Sequence, residues 1–195
     1  MELMELIASR ASVRDFLPDP IPEDILKEIL EAGRLAPSAQ NRQPWRYLVF
    51  TDNARIKKLA LNCGIIGLSN FFISKAPCLI IACADSSRNV RINHQDYYLV
   101  DTAISFQQMV LAAWNHGIGS CWLAAFSEKK LKSHLHLPKS WRVVAMAPYG
   151  YPAQKKSLYS KALSSFARRK HRPSTCDRVT THHRTEQTAP PFPPA

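Results

Sequence analysis

A chain of 195 residues, 46% hydrophobic and 21% charged, has the length and composition of one ordered domain with a sizeable core, not of a disordered polymer. Its longest apolar run, Cys78–Ala84, is strand-sized and far short of the ~20 residues a membrane span requires. Five cysteines without a C-x-x-C pair argue against a zinc site or a disulfide scaffold, whereas the formal net charge of +11 fits nucleic acid, an anionic cofactor or a solvated basic tail and does not choose among them.

The N-terminus, MELMELIASR, is acidic in its first residues and amphipathic, without the basic start and apolar block of a secretory signal, so a cytoplasmic protein is expected. Residues 2–9 read as a short helix with Leu3, Leu6 and Ile7 on one side. If the backbone that follows is extended, Arg10, Ser12 and Arg14 share a side. Two guanidiniums around a hydroxyl make an anion or phosphate clamp, with an exposed basic edge as the alternative. Pro18, Pro20 and Pro22 mark a turn, and Pro22-Glu-Asp opens a helix whose apolar face carries Ile25, Ile29, Ala32 and Ala36.

The stretch Ala36–Arg46, APSAQNRQPWR, is expected to be a loop of fixed shape, because Pro37 and Pro44 lack N–H groups and bias their predecessors away from helix. Between the prolines, Ser38, Gln40, Asn41, Arg42 and Gln43 offer hydroxyl, amide and guanidinium groups suited to the edge of a flat heteroaromatic ligand. A plain polar connector is the alternative. Arg46–Thr51 reads as a strand, and Asp52 as the cap of a helix running to about Asn62. Residues 63–76 have no clear period, Leu79–Ala84 is a strand buried on both faces, and Ser86–His94 is a polar loop.

Gln95–His116 is the longest predicted helix, with Leu99, Ala103, Phe106, Val110 and Ala113 inward and Val100, Ile104, Leu111 and Trp114 widening the stripe. Asp101 within it is assigned to capping or internal pairing, and Gly117 is the stop. Gly119–Phe126 reads as a strand, Ser127 as the cap of a short basic helix, and Trp141–Tyr149 as the last strand, with Pro148 placing its end at an edge or bulge. His134 and His136 read as surface residues, not a metal pair. From Lys161 onward seven Lys and Arg face two acids, and residues 167–195 form a basic, proline-ending stretch expected to be a disordered tail behind a domain of residues 1–166.

Helices alternating with strands give an α/β or α+β class around one mixed sheet, and a long apolar helix at the centre suggests three layers. Three separated segments, Arg10-Ala-Ser-Val-Arg-Asp-Phe16, Ala36-Pro-Ser-Ala-Gln-Asn-Arg-Gln-Pro-Trp45 and Gly117-Ile-Gly-Ser-Cys-Trp-Leu-Ala-Ala-Phe126, resemble in type, order and spacing the nitroreductase family of FMN-dependent oxidoreductases, as does the ending Tyr149-Gly-Tyr-Pro152. The resemblance covers roughly residues 3–165 by those motifs. It implies an α+β, three-layer α/β/α sandwich with a mixed, mainly antiparallel sheet, and a homodimer with an FMN at each of two interface sites.

It further implies that Arg10 and Ser12 hold the FMN phosphate and ribityl end and that Arg14 sits by the pyrimidine edge. Pro37, Ser38 and Asn41, with Gln43 as a further candidate, would come from the other subunit. Leu123, Ala124 and Ala125 would bring backbone groups near the reactive nitrogen, and Lys161 is the closest match to a cation that meets the phosphate after Gly-Tyr-Pro. The cofactor carries the chemistry, so no side chain is nominated as catalytic and no metal is expected. The implied activity is hydride transfer from NADH or NADPH to nitroaromatic or quinone acceptors with ping-pong kinetics. Its rivals are a same-fold flavoenzyme of other chemistry, such as dehalogenation or flavin breakdown, a flavin-binding protein without turnover, and a nucleic-acid-binding protein using the basic tail. The last lacks an aromatic stacking platform, since the tail's aromatics are only Phe166 and Phe192.

Overall fold

The computed structural model describes residues 2–63 and 71–153; Lys161 and the residue 167–195 stretch lie outside the described residues. The elements run α1 (Leu3–Ser9), α2 (Glu23–Arg34), β1 (Trp45–Phe50), α3 (Asn53–Cys63), β2 (Cys78–Asp85), β3 (Arg91–Ile92), β4 (Gln95–Asp96), α4 (Tyr97–Asn115), β5 (Gly119–Ser120), α5 (Glu128–His134) and β6 (Trp141–Gly150). β1, β2, β6 and β5 form one sheet in that order, with every ladder antiparallel. A parallel bridge from Ser12 to Ser120 makes the whole mixed.

Side-chain alternation along the strands divides the interior into two cores. Leu79, Ile81 and Cys83 of β2 point with Phe50, Val143 and Met146 into a core closed by α3 and α5, through Ile56, Leu59 and Leu131. Cys78, Ile80 and Ala82 point the other way, with Ala145, Ala147 and Tyr149, against Ile29 of α2 and Phe106, Met109 and Ala113 of α4. The result is a three-layer α/β/α sandwich. A bulge between Ala82 and Cys83 keeps both rows in phase with β6. Burial pushes the Cys78 and Cys83 thiols up to about 12, so both act as small hydrophobes.

Local chemistry fixes the ends. Asp52 accepts from the Ala54 N–H (2.9 Å) at the start of α3, and Ser127 from the Lys130 N–H (3.4 Å) at the start of α5. Glu128 ties α5 to β6, accepting two bonds from Arg142 (2.9 and 3.1 Å) and one from the Val143 N–H (3.0 Å).

Three details depart from the sequence reading. Residues 91–96 form a small hairpin instead of part of a loop, turning on Asn93 and His94, both with positive φ. β5 has only two residues in the ladder, because the neighbouring chain leaves it at Cys121 and rejoins at a single Leu123–Met146 bridge. Pro148 lies opposite Leu79 in an interior strand, not an edge one. Met146 spends its N–H and C=O on Leu123, so by alternation Pro148 faces the same side, beside that gap, where no ladder donor is needed.

The largest correction concerns α4. Leu99 (46%), Val100 (46%) and Ile104 (39%) are exposed, while Asp101, Thr102 and Ser105 are buried beside Phe106, Met109 and Val110. Among the described residues no helix is long and apolar enough to cross a membrane.

Candidate active site

The N-terminal segment is laid against β5. The Val13 N–H donates to the Ser120 carbonyl (2.9 Å) and the Leu17 N–H to the Tyr151 carbonyl (2.8 Å), so the backbone between them is extended. Arg10, Ser12 and Arg14 gather around Cys121. Burial pushes that thiol up, and the charge of Arg14, a hydrogen bond with Ser12 and the charge of Arg10 act in the opposite direction. Two cations and a hydroxyl therefore face one short stretch of chain.

Gly119 is what permits this approach. A Cβ there would lie 2.4 Å from Val13 Cγ2 and 2.8 Å from Val13 Cβ. Val13 is held by its backbone bond and has little rotamer freedom. Gly119→Ala is expected to push the Arg10–Arg14 segment off β5 and to lower stability by about 1–3 kcal/mol, read by chemical denaturation.

The chain after Cys121 presents few open backbone groups. The Leu123 N–H donates to the Met146 carbonyl (2.8 Å) and the Leu123 carbonyl accepts from the Met146 N–H (3.0 Å), so its one donor is spent. The Ala124 carbonyl accepts from the Phe126 N–H (3.0 Å), and among the described residues the Ala124 N–H has no partner. Ala124 and Ala125 are exposed. Trp122 sets its ring edge-on to Phe106, with centroids 4.9 Å apart.

The proline-bounded loop is built elsewhere. It contains a single helical turn at Ala39–Asn41, and Gln40, Asn41 and Gln43 all have φ near +50°. Such backbone is costly for non-glycine residues and persists only where its surroundings impose it. Here the Ser38 hydroxyl accepts from the Gln43 N–H (2.9 Å), Asn41 accepts from the Gln43 amide (2.7 Å), and Asp101 of α4 accepts from the Ala39 N–H (2.9 Å). Burial raises the Asp101 carboxyl, with the Ala39 N–H opposing the rise. Pro37, Asn41 and Gln43 are exposed and Ser38 half-buried, so the loop offers its polar edge outward.

The two clusters hang from different parts of α4. The loop is anchored at Asp101, while the N-terminal segment is anchored where the Trp114 indole N–H donates to the Ser9 hydroxyl (3.0 Å). Thirteen residues of helix separate these anchors, about 20 Å at 1.5 Å per residue. Exposed Leu99, Val100 and Ile104 lie on the same helix.

The family model for the nitroreductase family matches residues 7–64 and 66–151. The chain belongs to the nitroreductase family. Among relatives of known sequence, a protein of Archaeoglobus fulgidus assigned as an NADH dehydrogenase/NAD(P)H nitroreductase is 30% identical, over 81% of this chain and 90% of its own. An FMN reductase [NAD(P)H] of Bacillus subtilis is 25% identical, over 79% of this chain and 67% of its own. Among solved structures, a nitroreductase family protein from Clostridium novyi NT superposes with a TM-score of 0.74 at 32% identity, covering 80% of this chain and 89% of that one. As a nitroreductase-family chain, this one has its motif segments on the N-terminal strand, the proline-bounded loop and the β5 exit. Asp101, which ties the loop to α4, lies outside the three motif segments, and its bond from the Ala39 N–H is the internal pairing expected of it; Cys121 lies inside the third segment.

Proposed function

We propose that the chain is an FMN-dependent NAD(P)H oxidoreductase acting as a homodimer on nitroaromatic, quinone or similar acceptors. The donor set fits the cofactor. Arg10 and Ser12 suit a phosphate and its ribityl chain, since guanidinium and hydroxyl groups bond anionic oxygens strongly. Arg14 supplies positive charge for the pyrimidine edge, where negative charge accumulates on reduction. The open Ala124 N–H can donate to the ring near its reactive nitrogen without a titrating side chain. Ser38, Asn41 and Gln43 supply the complementary amide and hydroxyl edge, and Pro37 a rigid wall. Lys161 remains a candidate second cation for the phosphate. Bound FMN supplies a centre that takes a hydride equivalent from NAD(P)H and delivers it to a second substrate. The two substrates then occupy one pocket in turn, which gives ping-pong kinetics.

The observation that supports the dimer is the separation of the two clusters' anchors along α4, about 20 Å. A two-fold axis across the exposed Leu99, Val100 and Ile104 would bring the loop of one copy to the arginines of another, twice per dimer. The test is the visible spectrum of the purified full-length protein. A yellow protein, or one that turns yellow on adding FMN and is bleached anaerobically by NADPH or NADH, supports the reading. A protein that binds no FMN and oxidises neither nicotinamide with a nitroaromatic or quinone overturns it.

A further inference from the structure

We propose that the cavity between α3 and α5 is a second ligand site, built for a small phosphorylated organic molecule. The cavity measures about 560 Å³, within the ~300–1,000 Å³ range of small-molecule sites. Phe50, Leu59 and Leu135 give it an apolar floor, and Arg55, Lys58, His134 and His136 a cationic or proton-bearing rim. Those rim residues come from two separate elements packed across one core. The Arg55 guanidinium lies 5.6 Å from the centroid of the Phe50 ring, a cation–π contact that orients it and leaves its N–H donors unspent. Among the described residues, the side chains of Arg55, His134 and His136 make no hydrogen bond or ion pair.

The surrounding field has one sign. α3 and the residue 127–140 segment hold seven Lys and Arg against a single acid, Glu128, which is already bonded to Arg142 and Val143. An anion is therefore drawn to the cavity, and the apolar floor selects one with an organic body. A nucleic-acid strand suits it less well, because a cavity of about 560 Å³ is sized for one small molecule. The cavity lies under α3 and α5, on the sheet face opposite α2 and α4, so the inference does not depend on the flavin reading.

The test is calorimetric titration of the full-length protein, saturated with FMN, using AMP, adenosine and inorganic pyrophosphate. AMP is expected to bind at least about tenfold more tightly than adenosine, which lacks the phosphate, and than pyrophosphate, which lacks the base. Arg55→Ala and His134→Ala should each weaken AMP by about tenfold at unchanged melting temperature and unchanged NAD(P)H oxidation. Arg55→Lys, which keeps the charge, should lose less, and Arg10→Ala should leave AMP binding unaltered. The proposal is overturned if AMP does not bind, if adenosine binds as well as AMP, if the Arg55 and His134 variants bind it normally, if Arg10→Ala abolishes it, or if polyuridylate binds with AMP unable to compete.

Discussion

Co-expression of two inactive variants is expected to restore activity. Arg10→Glu reverses a charge in the N-terminal cluster and should weaken FMN by about a hundredfold, the loss of a charge-assisted bond plus like-charge repulsion. A second chain carrying Ser38→Ala and Asn41→Ala removes the hydroxyl and amide that shape the loop, where Ser38 holds the Gln43 N–H and Asn41 the Gln43 amide. If each site draws its arginines from one copy and its loop from another, a mixed dimer has one intact site and one doubly damaged site. Purification through both tags keeps only the mixed dimers, each with one of its two sites intact, so about half of wild-type turnover per dimer returns. The measurement is NADPH-dependent acceptor reduction by differently tagged, doubly purified protein. Mixtures no more active than either parent would place both clusters in one subunit's site and remove the proposed dimer.

Asp101 is expected to separate shape from charge. Its carboxylate is 3% exposed and accepts the Ala39 N–H that fixes the loop. Asp101→Ala leaves that donor without its partner and should cost about 1–3 kcal/mol, together with most of the FMN affinity, as Gln40, Asn41 and Gln43 leave their positive-φ conformations. Asp101→Asn keeps an acceptor oxygen and removes the buried charge. The sign follows from the direction of the shift. The folded carboxyl titrates above its unfolded value, so the ionised form is disfavoured by folding. That cost is absent below the unfolded value of about 3.9, grows as pH rises through the folded one, and is constant above it. Asp101→Asn should therefore match or exceed the wild type in stability at pH 7 and lose any advantage as pH falls below about 4. Urea denaturation at both pH values checks this; an Asn variant as unstable as Ala would show that the negative charge, not the acceptor, holds the loop.

Most of the scaffold could be read from the sequence because the signals were local. Pro22 with two acids, Asp52, Ser127 and Gly117 each mark a helix end through backbone chemistry, and the unbroken run Cys78–Ala84 announces a strand with a core on both sides. The face of α4 was not legible in this way. Leu99, Val100 and Ile104 satisfy a helical stripe whether they meet their own sheet or another molecule, and periodicity cannot tell these apart. Burial of Asp101 and Ser105 is decided by distant partners, the Ala39 N–H for one and the Tyr47 hydroxyl and Gly33 carbonyl for the other. The short reach of β5 has the same kind of origin, since its partners Tyr149 and Gly150 lie in a strand about thirty residues later. Only the 91–96 hairpin had an overlooked local cue, Asn93 at a two-residue turn.

The distance between the two anchors on α4 makes that helix a ruler. Inserting one full turn of four residues between Asp101 and Trp114 would add about 6 Å while nearly preserving which side chains face the sheet. One of the two contacts within the chain, Asp101 with the Ala39 N–H or the Trp114 indole with the Ser9 hydroxyl, would then be carried out of register with its partner. Helix length is thereby matched to the spacing of the loop and the N-terminal segment within the chain itself.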